Sequence, residues 1–379
     1  MSTLKKIFIM AGEASGDMHG GMLVSELKSL NKSLKFYGVG GGKLAEQGVD
    51  LLYDYSEFSS MGIIEPILKL QFYRKALKKI LDYIEINKIK NVILIDFPGF
   101  NLLLAEKLKK NNIKVIYYIS PQIWAWHYSR IKKIKRYVDA MIVLYPFEEK
   151  IYKSEGVNVF FAGNPLLDIV KERLGKAHDI KHKSAGLCIG LLPGSRLSEV
   201  KRHLKPILDS VLLLQERFKS SFLLPVHGAD SEKYAKDFIK QPAYNTLKIK
   251  IIFDNTYKAM EKSDFLIISS GTATLEAAII GKPMVVIYKV DIISELVARL
   301  VIKVDNIALV NIVSGKRICP ELLQRDANGK NIFDHVSKYL DNSKLLNNMI
   351  KEINIVKQKL GKPGAVKRIA KVVLSHILK

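Results

Sequence analysis

The sequence predicts an α/β protein of two consecutive domains, each built on a parallel sheet. Three observations carry that prediction. At 379 residues the chain is more than twice the ~150 residues of an ordinary domain. Its apolar segments are short, β-branched and without polar alternation, the pattern of strands covered on both faces. Longer stretches of helical period separate them, and the alternation pauses once, at Ala162-Gly163-Asn164-Pro165 and the polar stretch Lys176 to Ser184, before it resumes.

In the first half, strands are expected at Lys6 to Ala11, Phe36 to Gly40, Asn91 to Asp96, Lys114 to Ser120 and Ala140 to Tyr145. In the second, they are expected at Gly186 to Leu192, Ser221 to Val226, Lys248 to Phe253, Asp264 to Ser269 and Pro283 to Tyr288, with helices such as Glu199 to Lys219 and Thr272 to Ile280 between them. This divides the chain into a first domain of residues 1–165 and a second of 166–345. Residues 346–379 read as basic helices broken at Gly361-Lys362-Pro363-Gly364, which either cap the second domain or cross back to the first.

Composition narrows the function classes. With 48% hydrophobic residues there is material for two cores, which excludes wholesale disorder. Sixty Lys plus Arg against 37 Asp plus Glu leave a net charge of +23, so an anionic partner is expected: a nucleotide, a phospholipid surface or nucleic acid. Cys188 and Cys319 stand far apart with no C-x-x-C, which supports neither a disulfide framework nor a zinc ribbon. The apolar run Ile7 to Ala11 is too short for a signal-peptide core, and no stretch approaches a membrane-spanning helix. A cytoplasmic protein, free or peripheral, is expected.

Ligands of open parallel sheets bind outside the carboxyl ends of the strands, so the loops after strands come first. Gly12-Glu13-Ala14-Ser15-Gly16-Asp17-Met18-His19-Gly20-Gly21 follows the first strand. Its glycines let backbone approach a ligand and the helix start favours an anion, although it matches neither the P-loop nor G-x-G-x-x-G. In Ile95-Asp96-Phe97-Pro98-Gly99-Phe100-Asn101 a carboxylate ends an apolar strand. Asp96 there can take a proton from a hydroxyl, or cap the helix that follows. Leu192-Pro193-Gly194-Ser195-Arg196 offers amides and a planar guanidinium, which suits a diphosphate. In Ser270-Gly271-Thr272-Ala273-Thr274-Leu275-Glu276 the free amides of a helix start can hold a phosphate, and Glu276 can accept from ribose hydroxyls. The last two loops share a domain and together suggest a nucleotide-diphosphate pocket.

Met61 to Lys79 joins apolar residues to a basic end, which can lie in a membrane interface or pack on the core. Trp124-Ala125-Trp126-His127-Tyr128-Ser129-Arg130, followed by Lys132, Lys133, Lys135 and Arg136, is an aromatic and basic run inside an α/β unit, where core tryptophans weigh against nucleic-acid stacking. No D-x-D, H-E-x-x-H or paired Cys or His set is present, so no metal site is visible.

Taken together, these segments resemble the lipid A disaccharide synthase family of inverting glycosyltransferases. The matching stretches are Ala11 to Gly20, Gly38 to Gly42, Ser60 to Glu65, Ile95 to Asn101, Ser120 to Trp126, Gly163-Asn164-Pro165, Leu192 to Arg196 and Ser270 to Glu276. The resemblance implies a GT-B architecture, two Rossmann-like domains facing across a cleft. It also implies transfer of 2,3-diacylglucosamine from UDP-2,3-diacylglucosamine to the 6-hydroxyl of 2,3-diacylglucosamine 1-phosphate (lipid X), with a β-1,6 linkage formed and UDP released. Carried onto this chain, Gly194, Ser195, Arg196, Gly271, Thr272, Ala273, Thr274 and Glu276 would hold UDP. Asn311 would join them, although Val310 replaces the proline of the family's Pro-Asn pair. Asp96 would be the base, with Arg196 assisting departure of UDP; Gly99 replaces the second acidic residue that the family often has. Glu13, Ser15, Gly16, His19 and Met61 would lie on the acceptor side. The UDP-sugar is a substrate, so no cofactor and no metal are expected. The resemblance places the protein on the cytoplasmic face of the inner membrane, on its anionic surface, with no nucleic-acid partner and the oligomeric state open, a dimer included.

Two other readings compete. A same-fold enzyme, such as a peptidoglycan glycosyltransferase or a UDP-N-acetylglucosamine epimerase, would lack the Trp124-Ala125-Trp126 and Gly12 to Asp17 segments. A basic RNA-binding protein would show salt-steep RNA affinity and no nucleotide-sugar turnover.

Overall fold

The computed structural model describes residues 5–59, 66–176, 186–290 and 306–378. Contacts divide the chain into two units, one of Met1–Pro165 with Gly361–Lys379 and one of Leu166–Leu360.

The first unit is a seven-stranded sheet, parallel throughout its pairings. Its strands are β1 (Lys5–Ala11), β2 (Leu34–Gly40), β3 (Asp50–Asp54), β4 (Asn91–Ile95), β5 (Lys114–Tyr118), β6 (Ala140–Val143) and β7 (Val159–Phe161), in the order β3-β2-β1-β4-β5-β6-β7. Successive side chains leave opposite faces, and both faces are apolar. Phe8, Met10, Val92, Leu94, Val115 and Tyr117 meet Ala76, Ile80 and Ile84 of one helix, Pro66–Ile86, and Phe100, Leu104 and Leu108 of another, Pro98–Lys110. On the other face Ile7, Ile9, Ala11, Ile93, Ile95, Ile116 and Tyr118 meet Leu23, Val24 and Leu27 of α1 (Ala14–Leu30). Ile369, Ala370, Val373 and Ile377 of the last helix, Ala365–Leu378, complete that layer.

The second unit repeats the plan with six parallel strands: β8 (Leu187–Leu192), β9 (Ser220–Val226), β10 (Ile249–Phe253), β11 (Phe265–Ser269), β12 (Met284–Tyr288) and β13 (Glu321–Leu323). Their order is β10-β9-β8-β11-β12-β13. The helix Leu197–Arg217 buries Val200, Leu204, Ile207, Leu208, Val211 and Leu214 against Ile189, Leu191, Phe222 and Leu224. These are the two Rossmann-like domains expected of a GT-B enzyme.

Three strands escape the sequence pattern: β3, β7 and β13. Each is an edge strand: β3 is partly exposed between terminal aspartates, and β7 and β13 are only three residues long, so none shows an extended apolar run. The expected strand ends at Asp96, Ser120 and Tyr145 fall instead in the loops that follow β4, β5 and β6.

The expected boundary at 345/346 is corrected. The helix Ser343–Lys359 stays with the second unit, where Met349, Ile353 and Val356 are buried, the Met284 amide faces Met349 Sδ at 3.4 Å, and Lys359 Nζ donates to Ser314 O at 2.7 Å. Only the chain from Gly361 onward joins the first unit. There Gly361 adopts φ +96°, and a Cβ on it would come within 3.1 Å of Gly163 Cα. Arg368 Nε donates to Ala162 O at 2.8 Å and Nη1 to Pro363 O at 2.8 Å, tying the broken Gly-Lys-Pro-Gly segment to the end of the first unit's sheet. The polar stretch expected as a linker falls mainly in residues 177–185, and Met61 with most of its apolar segment start in residues 60–65; both lie outside the described residues.

Candidate active site

Strand order reverses direction between β1 and β4 in the first sheet and between β8 and β11 in the second. At such switch points two neighbouring loops diverge and leave a crevice at the carboxyl edge. All four polar loops singled out in the sequence follow one of these four strands.

In the first unit, the loop after β1 carries Glu13 and the loop after β4 carries Asp96, and the charge of Glu13 acts on the Asp96 carboxyl. Asp96 and Phe97 both adopt left-handed backbone, φ 43° and 48°. Non-glycine residues hold such a conformation only when their surroundings impose it. Here Tyr117 Oη and Asn101 Nδ2 donate to Asp96 O at 2.6 and 2.7 Å, and Asp96 N donates to Tyr118 O at 3.0 Å. The helix Pro98–Lys110 begins without a side-chain cap, so the capping role is not the one Asp96 plays. Burial, and then the Glu13 charge beside it, raise the Asp96 carboxyl to about 7. Gly12 is required by the same geometry, because a Cβ there would strike the Phe97 ring at 2.4 Å.

Asp96 lines a cavity of about 200 Å³ with Pro98, Ser120, Gln122, Trp126, Arg130, Tyr145 and Glu148. Glu148 was not legible as a site residue in the sequence. It is 2% exposed, and its two oxygens accept from Ser120 Oγ (2.9 Å), Trp124 Nε1 (3.1 Å), Leu144 N (3.2 Å) and Tyr145 N (3.1 Å). All four donors are neutral, and burial outweighs them, raising Glu148 to about 7. One buried carboxylate thus ties the loops after β5 and β6 into the cavity wall. Its only sequence signal was an acidic residue placed to cap the helix Pro146–Ser154. Trp124 is half-buried, while Trp126 is 40% exposed on the cavity wall with the Arg130 guanidinium 4.8 Å over its ring.

Three expected acceptor-side residues are accounted for differently. His19 is buried in α1, edge-on to Tyr118 at 6.1 Å, away from the cavity lining, and burial lowers it to about 4. It is a neutral core histidine. Gly16 is buried where α1 packs closely on Ala11 and Ile95. Ser15 is exposed and donates to Glu13 Oε1 at 3.2 Å. Asp17, in the same loop, takes the amides of Gly41 (2.7 Å), Lys43 (2.9 Å) and Leu44 (3.1 Å) and so fixes the turn after β2.

In the second unit, a cavity of about 560 Å³ is lined by Gly194, Ser195 and Arg196 after β8 and by Ser269 to Ala273 and Glu276 after β11, brought together as expected. Arg173, Glu199, His227, Tyr257 and Tyr288 join them from other elements and were not anticipated. Gly194 has φ +129°, and a Cβ there would lie 2.5 Å from Glu199. That approach lets Glu199 Oε2 accept from the amides of Ser195 (2.9 Å) and Arg196 (3.3 Å), while Oε1 meets Arg196 Nη1 at 3.2 Å. The loop thus presents an anion-binding set that its own carboxylate engages. Tyr257 Oη donates to Glu276 Oε1 at 2.6 Å, with the Arg173 guanidinium 5.3 Å over the Tyr257 ring. Burial raises Glu276 above the usual carboxylate range.

Two expected nucleotide contacts are corrected. Thr274 is buried and its Oγ1 donates back to Gly271 O at 2.9 Å, so it shapes the helix start from behind. Asn311 is buried in the helix Leu309–Ser314 and its side chain is fully engaged. Nδ2 donates to Cys319 O (2.8 Å) and Glu321 Oε1 (2.7 Å), and Oδ1 accepts from Ile318 N (2.9 Å) and Cys319 N (3.0 Å). It holds the turn before β13. Among the described residues no group of three His, Cys, Asp or Glu could hold a metal ion, and no helix is long and apolar enough to cross a membrane.

Comparison with known proteins separates the readings that share this fold. Solved structures resemble it over nearly their whole length at low identity. They include a UDP-GlcNAc 2-epimerase from Neisseria meningitidis bound to UDP-GlcNAc (TM-score 0.67, 15% identity, 98% of this chain and 100% of that one). MurG from Acinetobacter baumannii is another (TM-score 0.61, 14% identity, 98% and 99%). These likenesses establish the fold alone. Sequence similarity is far higher to the lipid-A-disaccharide synthase of Geobacter sulfurreducens, 39% identical over 99% of this chain and 98% of that protein. That of Syntrophus aciditrophicus is 40% identical with the same coverage. The family model for lipid-A-disaccharide synthetase matches residues 7–371. Matched almost end to end by that model and by these relatives, the chain belongs to the lipid-A-disaccharide synthetase family.

Proposed function

We propose that this protein transfers 2,3-diacylglucosamine from its UDP donor to the 6-hydroxyl of 2,3-diacylglucosamine 1-phosphate, with inversion, in lipid A biosynthesis. The observation that carries the mechanism is Asp96, a partly buried carboxylate beside Glu13 at the carboxyl edge of β4, raised to about 7. A base with that affinity is half deprotonated at neutral pH and still strong enough to take a hydroxyl proton as the bond forms. In one displacement the acceptor oxygen bonds to the anomeric carbon, its proton passes to Asp96, and the bond to UDP breaks with its electron pair on the diphosphate. The amides following Gly271 support that growing charge, together with the Ser195 and Arg196 amides and the exposed Arg196 guanidinium once they exchange Glu199 for the diphosphate. Glu276, held by Tyr257, is the acceptor for ribose hydroxyls.

No cofactor or metal enters this scheme, so turnover should persist in EDTA. The acyl chains call for work at a membrane surface, and the net charge of +23 favours the anionic cytoplasmic leaflet. The test is disaccharide formation from UDP-2,3-diacylglucosamine and lipid X in detergent with EDTA. Asp96→Ala is expected to lose ~10²–10⁴-fold in kcat while remaining folded. A folded wild type that makes no disaccharide, with or without magnesium, refutes the assignment.

A further inference from the structure

The cavity at Asp96 holds a positive group that the displacement does not use. Arg130 ends the short turn Tyr128–Arg130 and lines the cavity with Asp96. Its guanidinium stacks on Trp126. Among the described residues it makes no ion pair. Neither carboxylate of the lining pairs with it: Asp96 forms no ion pair with it, and both oxygens of Glu148 are taken by four other donors. The guanidinium fork is therefore left facing a ligand space, braced by an aromatic ring that is itself 40% exposed. Arg is the side chain suited to bidentate capture of a phosphate, and an open indole face suits the apolar side of a sugar ring.

A base, an aromatic wall and an unpaired guanidinium in one cavity of about 200 Å³ describe a small ligand. It has a hydroxyl at one end, a pyranose ring in the middle and an anion at the other. We infer that Arg130, braced by Trp126, binds the 1-phosphate of the acceptor, making this cavity a sugar 1-phosphate site that selects for the phosphate-bearing acceptor. The identity of the ligand rests on the glycosyltransferase reading above; the anion site rests on the cavity.

Two measurements test it on the full chain. In turnover, lipid X is compared with its 1-dephospho analogue. The wild type is expected to favour lipid X in KM, and Arg130→Ala to raise the KM for lipid X by ~10–100-fold with the KM for the UDP-sugar unchanged. The KM for the dephospho acceptor should also be unchanged, and Arg130→Lys should fall between. A folded Arg130→Ala that keeps the wild-type preference overturns the inference. So does an equal loss with both acceptors, since Arg130 would then only hold Trp126 in place. If Arg130→Ala fails to fold, Arg130→Gln, which keeps two methylenes and an uncharged amide, carries the same comparison. In binding, glucosamine 1-phosphate is titrated calorimetrically without donor. Binding by the wild type that is lost in Arg130→Ala supports the site even if no disaccharide forms, in which case only the reaction assignment has failed. Equal affinity in both proteins, or no binding by the wild type, overturns it.

Discussion

The position of Asp96 implies a conflict between function and stability that can be measured. Its carboxyl is raised from 3.8 to about 7 in the fold, so the folded state holds a proton that the unfolded chain releases. Stability from this group is therefore complete below pH ~4 and is lost as pH rises to about 7. At roughly 1.36 kcal/mol per pH unit, the loss reaches about 4 kcal/mol at pH 8 and is about 1.5 kcal/mol at pH 5. Asp96→Asn keeps the shape and an acceptor for the Phe97 amide but carries no charge, so it recovers that loss. The variant is expected to be inactive yet more stable than the wild type, with the gain larger at pH 8 than at pH 5. Denaturant unfolding followed by fluorescence at both pH values gives the difference directly. A gain independent of pH, or a loss of stability at pH 8, would refute the account of Asp96 as a carboxylate strained by burial and by Glu13.

Glu13→Gln removes the like charge beside Asp96, so the acid limb of kcat/KM, expected near pH 7 in the wild type, should move to lower pH; a limb that stays put assigns it to another group. Asn311→Ala breaks four buried hydrogen bonds and should cost ~2–4 kcal/mol while leaving UDP affinity, measured by calorimetry, unchanged in the folded fraction. Arg173→Ala removes the cation over Tyr257 and should weaken UDP binding ~10-fold, about 1.4 kcal/mol, with the melting temperature of the free protein little changed. Unaltered UDP affinity would remove Arg173 from the donor site.

What could be read in the sequence was what local chemistry decides. The buried strands β1, β4, β8 and β11 announce themselves as apolar runs, and the loops after them stand out because glycine, hydroxyl and charge interrupt those runs. Asp96 accordingly lines the first crevice, and Gly194 to Arg196 and Gly271 to Ala273 line the second. What could not be read was what tertiary contact decides. His19 and Asn311 have side chains suited to ligands, yet burial makes one a neutral core ring and the other a clamp for the Ile318 to Glu321 turn. Glu148, Arg173 and Tyr257 sit in ordinary helical sequence and become site residues only because the fold turns them toward a cavity. Strands β3, β7 and β13 are short or end in acidic residues, which leaves no extended apolar run to mark them.

The return of the last helix to the first unit sets the order in which the protein can be built. Residues 166–360 are complete as a unit before the chain ends, and can close their core while still attached to the ribosome. The first unit begins earlier and finishes later, because the layer formed by Ile369, Ala370, Val373 and Ile377 is synthesised last. Until then the sheet face beside α1 lacks its cover, and an apolar surface is held open for the whole synthesis of the second unit. The unit begun first is the one that must wait, and a chain cut before Ala365 would keep the core of the second unit while leaving this face of the first uncovered.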